Sequence, residues 1–117
     1  MSIEPGAADR LRSALATVVA IPVTPFDGAG EVDWDAHARL IRRLTDGGVT
    51  VVTPNGNTGE FYALTPDEGR RATESAIKAA GGSAEVLAGV GLDTATAIVR
   101  ARITAILASW NLPGESS

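Results

Sequence analysis

The sequence predicts an α/β protein built on parallel strands. Three apolar runs rich in β-branched residues, over 17–24, 49–53 and 85–91, alternate with stretches of helical periodicity. Runs without polar alternation suit strands buried on both faces. Strand–helix alternation implies parallel pairing through right-handed crossovers. Each run also ends in a Gly, Pro or Asn cluster before its helix, and in such folds ligands bind at the carboxyl ends of the strands.

The elements follow in order. Residues 1–16 form a lead-in that opens on Glu4-Pro5-Gly6, with a short helix expected over Asp9–Thr17 and Leu11, Ala14 and Leu15 on one side. TVVAIPVT (17–24) is the first strand; Pro22 removes a ladder donor and marks a strand end or irregular pairing. Asp33 is a suitable N-cap, with Asp35 in the first turn where acids favour the helix dipole. His37, Leu40, Ile41 and Leu44 then share one helical face, and Gly47-Gly48 stops the helix.

VTVVT (49–53) is the second strand, running into the loop Pro54-Asn55-Gly56-Asn57-Thr58-Gly59-Glu60. Thr65-Pro66-Asp67-Glu68 carries the clearest local signal: an N-cap threonine, proline at the first helical position and a capping-box glutamate. The helix should extend to Ala80 and stop at Gly81-Gly82, with Ala72, Ala76, Ala80 and Ile77 facing the sheet. Gly69 inside it costs ~1 kcal/mol relative to alanine. EVLAGVG (85–91) is the third strand. Asp93 or Thr94 caps a third helix to about Ala108, broken by Asn111-Leu112-Pro113-Gly114 before a polar tail.

Composition narrows the function classes. The 117 residues are one domain's worth of length, and 44% hydrophobic with 21% charged residues is an ordinary globular balance. The net charge of −4 without a basic cluster argues against nucleic acid and anionic membranes as partners. The absence of cysteine excludes disulfides, thiolate metal sites and a thiol nucleophile, and a single histidine argues against a His-rich metal site. No cofactor and no metal are expected. The longest apolar run, Val18–Val23, is too short to span a bilayer, and no basic start precedes an apolar core as in a secretory signal, so a cytoplasmic protein is expected.

The loop Gly56, Asn57, Thr58, Gly59, Glu60 is the main candidate for chemistry. Glycines let backbone N–H groups approach an anion, and Asn57 and Thr58 add side-chain donors. A plain turn explains the same residues, because Asn-Gly and Thr-Gly pairs favour turns. No Lys-Ser/Thr pair follows, so this is not a Walker A loop, and the spacing of a dinucleotide fingerprint fails. His37 could be a base, but it sits mid-helix on the apolar side, where a packed or partly exposed histidine is the ordinary reading. Asp33 and Asp35 are explained by the helix N-terminus, and Asp35 can pair with Arg39 at i, i+4. Arg42-Arg43 and Arg70-Arg71 read as solvated helix faces, Trp34 and Trp110 as packing residues. Tyr62 either lines the site or packs. Lys78, the single lysine beside nine arginines, reads as a solvated helix residue away from any strand end.

Three stretches together carry a resemblance. IPVTPFDGAGEVDW, GVTVVTPNGNTGEFYALTPDE and VLAGVGLDTATAI, in this order and spacing, resemble the start of the dihydrodipicolinate synthase and N-acetylneuraminate lyase family over Val18–Arg102. GEFYALTPDE also looks like the 5-dehydro-4-deoxyglucarate dehydratase branch. The resemblance implies a (β/α)8 TIM barrel that holds pyruvate or another 2-oxo acid as a lysine imine and makes or breaks a carbon–carbon bond, or dehydrates. The imine acts as an electron sink. The resemblance also implies a homo-oligomer. It makes Gly56, Asn57, Thr58, Gly59 and Glu60 the loop that binds the substrate carboxylate, with Thr58 its threonine. Asn57 stands where the best-known synthases carry a second threonine that joins a tyrosine proton relay.

A whole barrel needs ~200 residues or more, so this chain is expected to supply about three βα units, over 17–108, followed by a divergent tail over 109–117. The family's imine lysine and catalytic tyrosine belong to later strands, so no catalytic residue is assigned here. After Arg102 the resemblance fades, which reads as a truncated or frame-shifted product, or a fragment. Three readings follow: the N-terminal portion of a Schiff-base lyase, a small non-catalytic α/β module that binds a carboxylate, or one half of a split barrel.

Overall fold

The computed structural model describes residues 6–91 and, beyond them, 94, 95, 97–99, 101 and 102. Helix α1 spans Ala7–Leu15, two residues earlier than the periodicity indicates, because Gly6 in the left-handed region (φ 84°) lets the chain turn in at that point. Strand β1 is Val19–Ala20, helix α2 Trp34–Asp46, strand β2 Val51–Val52, helix α3 Pro66–Ala80 and strand β3 Glu85–Val86. The sheet is parallel in the order β1-β2-β3, with Val19 opposite Val51 and Val51 opposite Glu85.

Local chemistry sets the helix boundaries. The Asp33 carboxylate accepts from the Ala36 N–H at 2.9 Å and caps α2. Gly47 then Gly48, the latter at φ 97°, close it. Thr65 and Glu68 form the reciprocal capping box of α3: Thr65 Oγ1 accepts from the Glu68 N–H and the Glu68 carboxylate from the Thr65 N–H, with Pro66 in the first turn.

The strands are shorter than the apolar runs. Regular pairing in β1 stops at Ala20, one residue before Ile21-Pro22, as the missing proline donor requires. The chain nevertheless stays beside β2, since the Thr53 N–H donates to the Ala20 carbonyl at 2.8 Å. A small hairpin follows, which the local sequence pattern does not predict. Phe26 bridges Val32 antiparallel, and Asp27 Oδ1 accepts from the Ala29 and Glu31 N–H groups across the turn.

One face of the sheet is covered. Ile41 of α2 and Ala76 and Ala80 of α3 form a buried cluster against which Ala84 and Val86 pack. The small alanines bring the helices close to the strands. The expectation of strands buried on both faces fails outside β2. Val51 and Val52 are fully buried, yet Val18, Ile21, Val23, Leu87 and Val90 keep 41–74% of their surface exposed. With α2 and α3 supplying the packed cluster on one face, the other face of the parallel sheet is left without a comparable cover among the described residues.

Beyond β3, residues 94, 95, 97–99, 101 and 102 are helical, in line with the expected third helix. Asp93 as its cap, its course over 103–108, the breaker at 111–114, Trp110 and the 109–117 tail lie outside the described residues, as do Glu4 and Pro5. No helix among the described residues is long and apolar enough to cross a membrane.

Candidate functional site

The loop after β2 sits where the three strands end, and its glycines hold it there by close approach. A Cβ on Gly59 would stand 2.7 Å from the Pro54 carbonyl oxygen, 3.1 Å from that of Pro22 and 3.3 Å from Thr24 Oγ1. Only hydrogen fits. The buried Thr24 hydroxyl donates to the Gly59 carbonyl at 2.7 Å and ties the end of the first strand segment to the loop. From the other side, Gly89 lies against the Asn55 backbone and Gly91 against the Phe61 ring, 2.7 Å from the position of an added Cβ.

Asn55 roots the loop in α3. Its Nδ2 donates to the Gly69 carbonyl and to Thr73 Oγ1, both at 2.9 Å, and the residue is 6% exposed. Its Oδ1 is buried without a partner among the described residues. Within the loop, the Gly59 N–H donates to the Gly56 carbonyl and the Glu60 N–H to the Asn57 carbonyl. Glu60 adopts a left-handed conformation, φ 55°, unusual for a residue with a side chain. The turn leaves Asn57, Thr58 and Glu60 exposed. The N–H groups of Asn57 and Thr58 donate to no protein acceptor among the described residues.

All five predicted site residues therefore share one short loop at the carboxyl ends of the strands. Gly56 and Gly59 are its packed positions, while Asn57, Thr58 and Glu60 face outward. N–H groups without a protein acceptor among the described residues, beside an amide and a hydroxyl, are the kind of donors that suit an anion. Tyr62 packs edge-on to Phe61, ring centroids 5.7 Å apart, and stays 60% exposed beside the loop. The supporting residues Thr24, Asn55 and Gly89 were not singled out from sequence. Asn55 reads as one more turn residue there, and only its distance to α3 reveals its role.

The remaining candidates lie elsewhere. His37 is fully buried between α2 and α3, its Nδ1 2.9 Å from Ser75 Oγ and its ring edge-on to Trp34. Burial pushes its imidazole below the ordinary histidine range. It is a packed residue, not a base at the strand ends. Asp33 is spent as a cap, and Asp35 does not pair with Arg39. Lys78 is 75% exposed and bonds Glu74 at 2.9 Å; that hydrogen bond holds the Glu74 carboxyl below its usual range. Arg70 is half-buried rather than solvated and bridges Asp67 and Glu74, each at 3.0 Å, which raises its already high pKa. Among the described residues no group of three or more His, Asp or Glu side chains is placed to hold a metal.

Comparison with known proteins places this geometry. The family model described as the dihydrodipicolinate synthetase family matches residues 14–105. A probable 5-dehydro-4-deoxyglucarate dehydratase of Azotobacter vinelandii is 39% identical over 89 residues, covering 75% of this chain and 29% of the relative. A 4-hydroxy-tetrahydrodipicolinate synthase of a Synechococcus species is 40% identical over 84 residues, covering 72% and 28%. The crystal structure of dihydrodipicolinate synthase from Bacillus clausii superimposes with a TM-score of 0.79 at 37% identity, over 83% of this chain and 33% of that one. The chain thus spans about a third or less of the length of the proteins it matches.

Proposed function

Because the chain belongs to the dihydrodipicolinate synthetase family, we propose that it is the N-terminal portion of a lyase that handles pyruvate or a related 2-oxo acid as a lysine imine, and that it supplies the carboxylate-binding loop but not the imine lysine. The observation that carries this is the loop Gly56–Glu60. It is pinned at the strand ends by Thr24, Asn55 and the bare Cα of Gly59, and the Asn57 and Thr58 N–H groups have no acceptor among the described residues. In the proposed complex those two N–H groups and the Thr58 hydroxyl donate to the substrate carboxylate. Asn57 donates through its amide; unlike a hydroxyl, it passes no proton along a relay.

The chain's own lysine does not suit the chemistry. An imine forms from a neutral amine, which a protein obtains by desolvating the lysine or setting it beside another cation. Lys78 is exposed and held by a carboxylate, which favours its charged form. Carbon–carbon bond making or breaking, or dehydration, is therefore a property proposed for the assembled barrel. The exposed row Ile21, Val23 and Leu87 favours completion by further βα units over the alternative of an independent binding module. Small-molecule 2-oxo acid binding, a homo-oligomeric assembly and a cytoplasmic setting belong to the same proposal, as does the extent of the barrel segment, 17–108.

The test is pyruvate with borohydride followed by intact mass, beside a pyruvate titration read on backbone amides. We expect no covalent adduct, amide shifts at Asn57 and Thr58, and weaker binding in Thr58→Ala by about tenfold, the scale of one charge-assisted hydrogen bond. A trapped adduct on Lys78 overturns the assignment of the lysine. Shifts that bypass the loop overturn the assignment of the carboxylate site.

A further inference from the structure

A second concave surface lies between α2 and α3, on the side of these helices that does not face the sheet. Arg42 of α2 and Arg70, Arg71 and Lys78 of α3 line it with Glu74, and Trp34 stands at one end. The small side chains of Ala38 and Ala79 leave it open. Four cations thus face one carboxylate in a chain whose net charge is −4.

The charges are unequally satisfied. Arg70 is shared between Asp67 and Glu74, and Lys78 is spent on Glu74. Arg71 has no carboxylate among the described residues; its guanidinium rests over the Trp34 ring, 4.8 Å from the centroid. Arg42 has no ion pair there either. Two guanidiniums from two helices therefore remain uncompensated along one groove. The wall beneath them is fixed, because the buried His37 bonds Ser75 across the two helices and supports Trp34 edge-on.

We propose that this groove binds a phosphate dianion, free or as the phosphoryl group of a small metabolite, at a site separate from the carboxylate loop. A guanidinium fork matches phosphoryl oxygens two at a time, and a doubly charged anion suits a groove with two uncompensated cations. A monocarboxylate such as pyruvate satisfies only one of them. Because the groove is open to water, binding is weak and falls with salt.

The test is titration of the full chain with inorganic phosphate and, separately, with glycerol phosphate, at fixed ionic strength against chloride and acetate. The readout is the Trp34 indole resonance with the α2 and α3 amides. We expect saturable shifts with both phosphates, or with the ester alone if the metabolite body contributes. Binding should weaken about tenfold or more in Arg42→Gln and in Arg71→Gln. It should be retained in Arg39→Gln, which makes the same charge change on α2 outside the groove. If Arg42→Gln fails to fold, Arg42→Lys keeps the charge without the fork and should still lose affinity. Shifts equal to those of chloride, or affinity unchanged in the Arg42 and Arg71 variants, overturn the proposal.

Discussion

Replacing Gly59 by alanine tests the architecture of the loop most directly. The new methyl would stand 2.7 Å from the Pro54 carbonyl oxygen and 3.1 Å from that of Pro22, both backbone atoms on separate segments that cannot rotate away. Overpacking of this kind costs about 1–3 kcal/mol. Moving the loop to relieve it breaks the buried Thr24–Gly59 hydrogen bond, worth about 1 kcal/mol more. The sum is about 2–4 kcal/mol. At roughly 4–8 °C per kcal/mol for a domain near this size, the melting midpoint should fall by roughly 10 °C or more. Thermal unfolding by circular dichroism reads it, with Gly28→Ala as the matched control. Gly28 has nothing within 4 Å of an added Cβ and no positive φ, so that variant should melt at or slightly above the parent. If Gly59→Ala and Gly28→Ala melt together, the close approach does not exist and the loop is not pinned as described.

Two further expectations concern the helices. Burial lowers the pKa of His37 in the folded chain, whereas the unfolded imidazole titrates near ~6.5. The unfolded state therefore takes up the proton first, so stability is full above that value, declines as pH falls towards the lowered folded pKa, and then levels off. Chemical denaturation across this window should show the decline, and His37→Gln should flatten it, since the chain has no other histidine. Thr65→Ala removes the acceptor of the capping box and should cost ~1 kcal/mol, with Thr65→Ser restoring most of it in the same denaturation assay.

Much of the frame was legible because its signals are local. Caps at Asp33 and Thr65, glycine stops at Gly47 and Gly81, and the packed face through His37 and Ile41 depend on neighbours a few residues away, and all were recovered. The limits of the three strands were not, because pairing depends on a partner strand more than thirty residues off in sequence and on what covers the opposite face. The candidate loop stands out in the sequence by its glycines and by family resemblance, but its supports do not. The bond from Asn55 to Gly69 and Thr73, and the Thr24 hydroxyl on Gly59, are tertiary facts that no periodicity encodes. Arg71 reads as a solvated charge because helical spacing does not reveal a tryptophan on the neighbouring helix, whereas the partners of Arg70, Asp67 and Glu74, lie on its own helix.

The strand order β1-β2-β3 has a consequence for synthesis. Residue 19 waits only for residue 51, and residue 51 only for residue 85, before each ladder can close. No strand must be held open for a later one to insert between its neighbours. A ribosome that delivers the chain from its amino end can therefore assemble it as a growing edge, each new βα unit docking on the last. Asn55 registers that progress: its amide N–H groups lack these partners until Gly69 and Thr73 of α3 emerge, so the loop after β2 sets only after the following helix has formed.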